Sequence, residues 1–435
     1  MDPLAVELNA KIAAENPLAL ELLSELGKRM YFPSKGILSQ SAEAKTLGKR
    51  FNASIGTALE AGQAMHLDCV MRQLDDFNAN EALLYAPSQG IAELRQSWRQ
   101  KNLHDNPDLQ GVPCSLPIVT NGLSGALSVA ADLFVNPGDS LLMANMNWDN
   151  YHLNFGVRCQ AKLEFYNYFE GQGLDLQASR EALQKHQAGE KLVVILNFPN
   201  NPSGYTATEE EGEALAQALL QSAERGLNLV VLVDDAYFGL FFDSALMQQS
   251  MFSKLAGKHP RLLAIKADAA TKEVYVWGLR VGFISFSIGG VSENSPLFAA
   301  LEAKAAGIVR STISNCSILS QKIINQALQD PGFYAQRQAK AALMKTRALK
   351  VKEVLANNPD WQEHFEAYPF SSGYFMCLRL KKIDAESLRL HLLQKYQAGT
   401  ISITASDLRI AFSCLEEHEI PELFKTIYLA CQDLD

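Results

Sequence analysis

The sequence predicts an α/β protein: a larger domain built on a mainly parallel sheet, with a smaller α+β domain after it. Three observations carry this. Short, continuously apolar β-rich runs recur through the middle of the chain. Helical patterns fall between them. From about residue 326 the pattern changes to one long charged helix followed by short strands and helices. Unbroken apolar runs suit strands covered on both faces, and alternation with helices suits parallel connections.

The runs come in order as LPIVT ending at Thr120, SLLMA at Ala144, LVVIL at Leu196, LVVLV at Val233, LLAIK at Lys266 and VGFISFSI at Ile288. The segment EEEGEALAQALLQSAERG reads as a helix closing on Gly226, where glycine tolerates the left-handed turn that ends a helix. Strand and helix alternate from about 90 to 325. The long pattern AQRQAKAALMKTRALKVKEVLANN opens the last part, and YFMCLRL and LRIAFS read as its strands. The expected division is 1–80, contributing to the small domain, then 81–325 as the large domain and 326–435 as the small one.

A chain of 435 residues can bury two sizeable cores. With 48% hydrophobic and 20% charged residues it reads as an ordinary soluble protein. A net charge of −9 gives no general attraction for nucleic acid or an anionic membrane, so neither partner is expected. The opening MDPLAVELNA has no basic segment before an apolar core, and no stretch is long enough to span a bilayer. The seven cysteines are scattered and lack CxxC spacing. That argues for reduced thiols in the cytoplasm and against a disulfide frame or metal site.

Ligands in open α/β sheets sit beyond the carboxyl ends of the strands, and the unusual residues gather there. In VTNGLSGALS, Gly122 and Gly125 allow close backbone approach and Ser124 stands at a helix start, where free N–H groups favour a phosphate. The same stretch also reads as a plain strand-to-helix turn. Trp148, in NMNWDNY, is either a core aromatic or a stacking plate. The rigid turn LNFPNNPSGY offers the amides of Asn197 and Asn201. In LVVLVDDAYFG, Asp234 follows an apolar strand, with Tyr237 three residues on. This pair is either a cap and a core tyrosine, or an acid for a cationic ring nitrogen beside a phenol donor. In ATKEVYVWGLRVGF, Lys272 and Arg280 stand eight positions apart in an apolar run. Cations are rarely buried without a partner.

Together these supply a phosphate seat, an aromatic plate, an amide donor, an acid, a phenol, a lysine and an arginine. Pyridoxal 5′-phosphate (PLP) needs that set: an amine for its aldehyde, a carboxylate for its ring nitrogen, donors for its 3-oxygen, and amides with an arginine for its phosphate.

From about Tyr85 to Arg409 the chain resembles the class I/II aminotransferases of the aspartate aminotransferase superfamily, PLP enzymes of fold type I with a seven-stranded-type sheet. The N-P-S-G turn, D-x-A-Y and K-x7-R-x-G run in the family's order and spacing. The resemblance implies that Lys272 binds the cofactor covalently and moves the proton between the substrate Cα and the cofactor. It implies that Asp234 partners the ring nitrogen, and that Tyr237 and Asn201 hold the 3-oxygen. Trp148 would stack on the ring, and Leu123 (through its N–H), Ser124 and Arg280 would bind the phosphate. Tyr85, in LLYAPSQG, matches a tyrosine that reaches the neighbouring subunit's phosphate, which implies a homodimer with shared sites. Arg409, in LRIAFS, resembles the arginine that clamps the substrate α-carboxylate, and Gly56, in FNASIG, is placed near the same carboxylate. Trp277 and the valines around it are expected as packing.

One departure is Ala269, where many relatives carry a phosphate-binding serine. Either Thr271 compensates, or the phosphate holds one fewer contact, at a cost of about 1 kcal/mol. In GIVRSTISNCS, Arg310 reads as a surface arginine at a helix end, or as the arginine that crosses to the partner's site in dicarboxylate-specific members. Its separation from Lys272, 310 − 272 = 38, is slightly longer than that subgroup's. The expected activity is ping-pong transfer of an amino group between an L-amino acid (aspartate, glutamate or an aromatic one) and a 2-oxo acid. A β-lyase or decarboxylase on the same fold is the enzyme alternative. An aminotransferase-like regulatory domain is the non-enzyme one, and only about 80 residues without a basic recognition helix precede the first motif.

Overall fold

The computed structural model describes residues 1–15, 17–31 and 36–435. Its centre is a seven-stranded sheet of β1 (Ile118–Asn121), β2 (Ser140–Ala144), β3 (Lys162–Tyr166), β4 (Lys191–Asn197), β5 (Asn228–Asp234), β6 (Leu262–Ala269) and β7 (Val281–Ile288), in the order β1-β7-β6-β5-β4-β2-β3. Only β7 runs antiparallel to its neighbours. The apolar runs are buried along most of their length, as helices on both faces require.

Four helices position the site. They are α1 (Ala92–Asp105), α2 (Gly122–Phe134), the single turn α3 (Ala270–Glu273) and α4 (Phe333–Ala356). The helix read from EEEGEALAQ spans Glu209–Glu224, begins on a capping box between Thr208 and Glu211, and is followed by Gly226 at φ 101°.

Two strands depart from the sequence reading. The edge strand β3 was not anticipated, because its side chains are half-exposed and KLEFY is too polar to stand out. Strand β6 runs past Lys266 to Ala269, so it carries a buried lysine and a buried aspartate. Their charges are paired: Lys266 Nζ lies 2.6 Å from Asp235 and 2.9 Å from Asp268.

Beyond α4 comes a four-stranded antiparallel sheet of β8 (Phe365–Ala367), β9 (Phe375–Leu380), β10 (Ile401–Ser402) and β11 (Asp407–Ala411), in the order β8-β9-β11-β10. The N-terminal part joins this region, since Phe51–Asn52 pairs in parallel with Ala398–Gly399. All seven cysteines are unpaired, five of them buried as small apolar side chains. Among the described residues no helix is long and apolar enough to cross a membrane.

Candidate active site

Register decides what meets at the sheet's carboxyl edge. Asp234 at the end of β5 is level with Asn197 at the end of β4 and Ala267 on β6. Strand β6 continues two residues further and turns directly into α3, which carries Lys272. These ends open on a cavity of about 260 Å³ that also receives Gly56, Leu123, Ser124, Trp148, Asn201, Tyr237, Thr271, Arg280 and Arg409. Every residue given a ligand-binding role above, apart from Tyr85 and Arg310, is therefore brought to one place; Gly122, Gly125 and Ala269 do not line the cavity.

Asp234 is the best-held group. Its Oδ2 accepts a 2.6 Å hydrogen bond from Tyr151 Oη, and its Oδ1 accepts from the Ala236 N–H at 3.0 Å. Burial pushes its pKa up to about 6, while the two donors and the Lys272 charge hold it from rising further. Burial likewise pushes Lys272 down to about 8; Asp234 opposes the fall and Arg280 adds to it. The Lys272 amine lies 4.8 Å from the centre of the Tyr237 ring.

The Asn-Pro turn links two parts of the cavity. Asn197 spends its amide on Asp234, donating to the backbone carbonyl at 2.9 Å and to Oδ1 at 3.3 Å, and accepts from the Asn201 N–H at 2.8 Å. It therefore supports the site from inside and has no donor left for a ligand oxygen. Asn201 Oδ1 accepts from Arg409 Nη1 at 3.0 Å, which leaves the Asn201 amide nitrogen as the donor. Arg409 also donates to the Ser54 carbonyl at 3.0 Å and lies 4.2 Å over the Phe375 ring. Burial lowers its pKa from the ordinary arginine value.

At the other end of the cavity, Gly122 begins α2 at φ 70°. Its N–H donates to the Arg280 carbonyl at 3.0 Å, and a Cβ there would stand 2.4 Å from Arg280 Nη2. Only glycine lets the guanidinium lie against the helix start. Leu123 and Ser124 follow in the first helical turn, where N–H groups lack intrahelical partners. Ser124 is thus inside the helix, and Asn121 occupies the cap position.

Two side chains were misjudged from sequence. Tyr151 was not singled out, although it is the hydroxyl donor to Asp234. Trp277 was expected as packing but lines the cavity. Tyr85 is 89% exposed, and Arg310, near the end of the helix Pro296–Ile313, donates to Ser314 Oγ at 2.6 Å on the surface. Ser88 Oγ donates to the Ser314 carbonyl, so the segments carrying Tyr85 and Arg310 lie side by side.

The family model described as "Aminotransferase class I and II" matches residues 50–427. The chain belongs to this family. It is 24% identical over 252 residues to the probable aspartate/prephenate aminotransferase of Aquifex aeolicus, covering 57% of each chain. It is 24% identical over 245 residues to the cytoplasmic aspartate aminotransferase of Saccharomyces cerevisiae, covering 54% of this chain and 56% of that one. The chain thus spans a little over half the length of the curated relatives it matches. In fold it is similar to a crystal structure of an aminotransferase from Anaerococcus prevotii, with TM-score 0.80, 22% identity, and 94% of this chain and 98% of that one covered. It is also similar to an aromatic amino acid aminotransferase from Burkholderia cenocepacia, with TM-score 0.73, 21% identity, and 93% and 98% covered. The fold is type I of the PLP enzymes, and the family's cofactor is PLP.

The donor set suits that cofactor. Thr271 Oγ1, Trp277 Nε1 and Arg409 Nε line the cavity and are buried without a hydrogen-bond partner. Buried donors left unpaired call for an acceptor-rich ligand. A phosphate and a carboxylate both answer that description. Thr271 also offers the hydroxyl that Ala269 lacks.

Proposed function

We propose that the chain is a PLP-dependent aminotransferase that exchanges an amino group between an L-amino acid and a 2-oxo acid. The observation that supports it best is the meeting of Lys272, Asp234, Arg280 and Arg409 in one cavity. Three cations and one carboxylate there match a dianionic phosphate, an α-carboxylate and a protonated ring nitrogen. When bound, the cofactor supplies an aldehyde that takes the amino group and a ring that accepts the electron pair left when Cα loses its proton.

The chain's residues do the rest. Arg280, the Leu123 N–H, Ser124 and Thr271 hold the phosphate. Asp234, kept ionised by Tyr151, binds the ring nitrogen and keeps a proton on it. Tyr237 and the Asn201 amide would hold the ring oxygen, and Trp148 would stack on the ring. Arg409 pairs with the substrate carboxylate beside Gly56. Lys272, whose pKa of about 8 leaves part of it neutral near pH 7, would hold the cofactor through its amine and would be the base that moves the substrate Cα proton.

The site is completed by a second copy of the chain. Leu83, Leu84 and Tyr85 form an exposed stretch, 79%, 59% and 89% exposed, which supports a homodimer in which Tyr85 reaches the partner's phosphate. Arg310, on the neighbouring segment, then faces the same partner site and selects aspartate or glutamate. The division at residues 80 and 325 and a cytoplasmic location complete the proposal. A half-reaction screen tests it. Cofactor-loaded protein is mixed with each L-amino acid singly, and the loss of the bound cofactor's absorbance is recorded. Loss with at least one amino acid, with release of the matching 2-oxo acid, is the expected result. No loss with any of them overturns the transaminase reading.

A further inference from the structure

A second set of charges lies beside the strand end that carries Asp234 and the one-turn helix α3 that carries Lys272. Asp235, Lys266, Asp268, Glu273 and Lys101 are each at most 2% exposed. Lys266 bonds Asp235 and Asp268, and the Trp98 indole N–H donates to Asp268 at 2.9 Å. Lys101 of α1 pairs with Glu273 and, at 3.1 Å, with Asp105. Arg337 of α4 reaches Asp105 at 2.8 Å and Glu273 at 3.4 Å.

Stability alone does not account for this network. Buried ion pairs offset their own desolvation poorly, and apolar residues of the same volume serve as well or better. The balance here is also uneven, with four acids facing three bases. Glu273 Oε1, Asp235 Oδ1 and Asp268 Oδ1 are buried without partners.

The placement is what distinguishes it. Asp235 follows Asp234, and Glu273 follows Lys272. In each pair the first residue lines the cavity and the second enters the network. Helix α3 is a single turn of four residues, too short to hold its own orientation. It is fixed by β6 at one end and by Glu273 at the other. The residues that grip Glu273 come from α1, near the start of the sheet region, and from α4, which leads to the C-terminal sheet.

We propose that Glu273 is a positioning residue for Lys272: held by Lys101 and Arg337, it locks the one-turn helix α3 so that the Lys272 amine faces the cavity. This rests on the cofactor reading above. It extends that reading to residues that touch neither cofactor nor substrate. The groups facing Glu273 are Lys101 and Asp105 from α1, Lys266 and Asp268 from β6, and Arg337 from α4. In the cavity Asp234 opposes the fall in the Lys272 pKa, so an amine no longer held toward the cavity loses that support and gives up its proton at lower pH.

The test uses the cofactor-loaded protein and the variants Glu273→Gln, Lys101→Met, their combination, and Leu219→Ala. Leu219 is fully buried in a separate apolar cluster, so the last variant loses stability without touching the network. Two readouts besides turnover are taken: the rate at which the cofactor is released, and the pH midpoint of its absorbance change. Both single variants are expected to release the cofactor about tenfold faster than wild type, with the midpoint moved to lower pH. The double variant is expected to be no worse than the more affected single, since both break one link. Leu219→Ala is expected to change neither readout at a comparable fall in Tm. If Glu273→Gln, which keeps the side chain's shape, behaves like Leu219→Ala in both, the proposal is overturned. Failure of the wild-type protein to take up PLP would instead overturn the cofactor reading beneath it.

Discussion

Replacing Tyr151 by Phe removes one hydroxyl and leaves the ring. In the structure that hydroxyl donates to Asp234 Oδ2 at 2.6 Å, inside the protein. A hydrogen bond to a buried charge is worth about 1.5–3 kcal/mol. At 1.36 kcal/mol per pKa unit, its loss raises the Asp234 pKa by about one to two units. The carboxyl already sits at about 6, so Tyr151→Phe is expected to carry it to about 7–8. The sign follows from linkage. An aspartate in the unfolded chain titrates near 3.9, so the folded value is raised and folding favours the protonated form. In the cofactor-free protein, the stability this group gives is fully present below about pH 4 and is lost as pH rises to about 6. Tyr151→Phe extends that loss to about pH 7–8. The assay is an infrared pH titration of the protonated carboxyl band in the cofactor-free protein, assigned by its disappearance in Asp234→Asn. Equal midpoints in wild type and Tyr151→Phe would refute the claim that Tyr151 keeps Asp234 ionised. A midpoint that falls would refute the sign.

Two further outcomes follow from the dimer reading. Tyr85→Phe and Lys272→Ala chains, each impaired alone, are expected to recover part of the activity when unfolded together and reassembled, because a mixed dimer holds one intact site; proven mixed dimers without recovery would count against sharing. Arg310→Ala is expected to lower kcat/KM for aspartate and glutamate by roughly tenfold to a hundredfold, the equivalent of one charge-assisted pair, and to spare neutral amino acids. Equal losses for both classes, or none, would assign specificity elsewhere.

Much of the fold was legible because its strands are buried on both faces. Runs such as LVVIL and LVVLV need no tertiary information to be read, and the residues closing them, Asn197 and Asp234, stand beyond the apolar stretch. The edge strand Lys162–Tyr166 escaped notice because one exposed face dilutes its apolar signal. Tyr151 was invisible for a different reason. It is 83 positions from Asp234, and nothing in NWDNY separates a hydrogen-bonding tyrosine from a packing one. The charge network was hidden by convention: Lys101 and Arg337 sit in helical patterns full of charge, which ordinarily mark a solvated face. The burial of Lys101 and the pairing of both with Glu273 appear only once α1, α3 and α4 are packed together. Tyr85 and Arg310 were placed by resemblance alone, and in a single chain they lie on the surface.

The central claim is that Lys272 bonds the cofactor. Of the two lysines near the end of β6, Lys266 is committed to Asp235 and Asp268, whereas Lys272 opens on the cavity with its pKa lowered to about 8. Reducing the PLP-loaded protein with borohydride, digesting it and mapping the peptides should place the pyridoxyl group on Lys272, and the label should vanish in Lys272→Ala. A label on Lys266, or on any other residue, with Lys272 unmodified would contradict it.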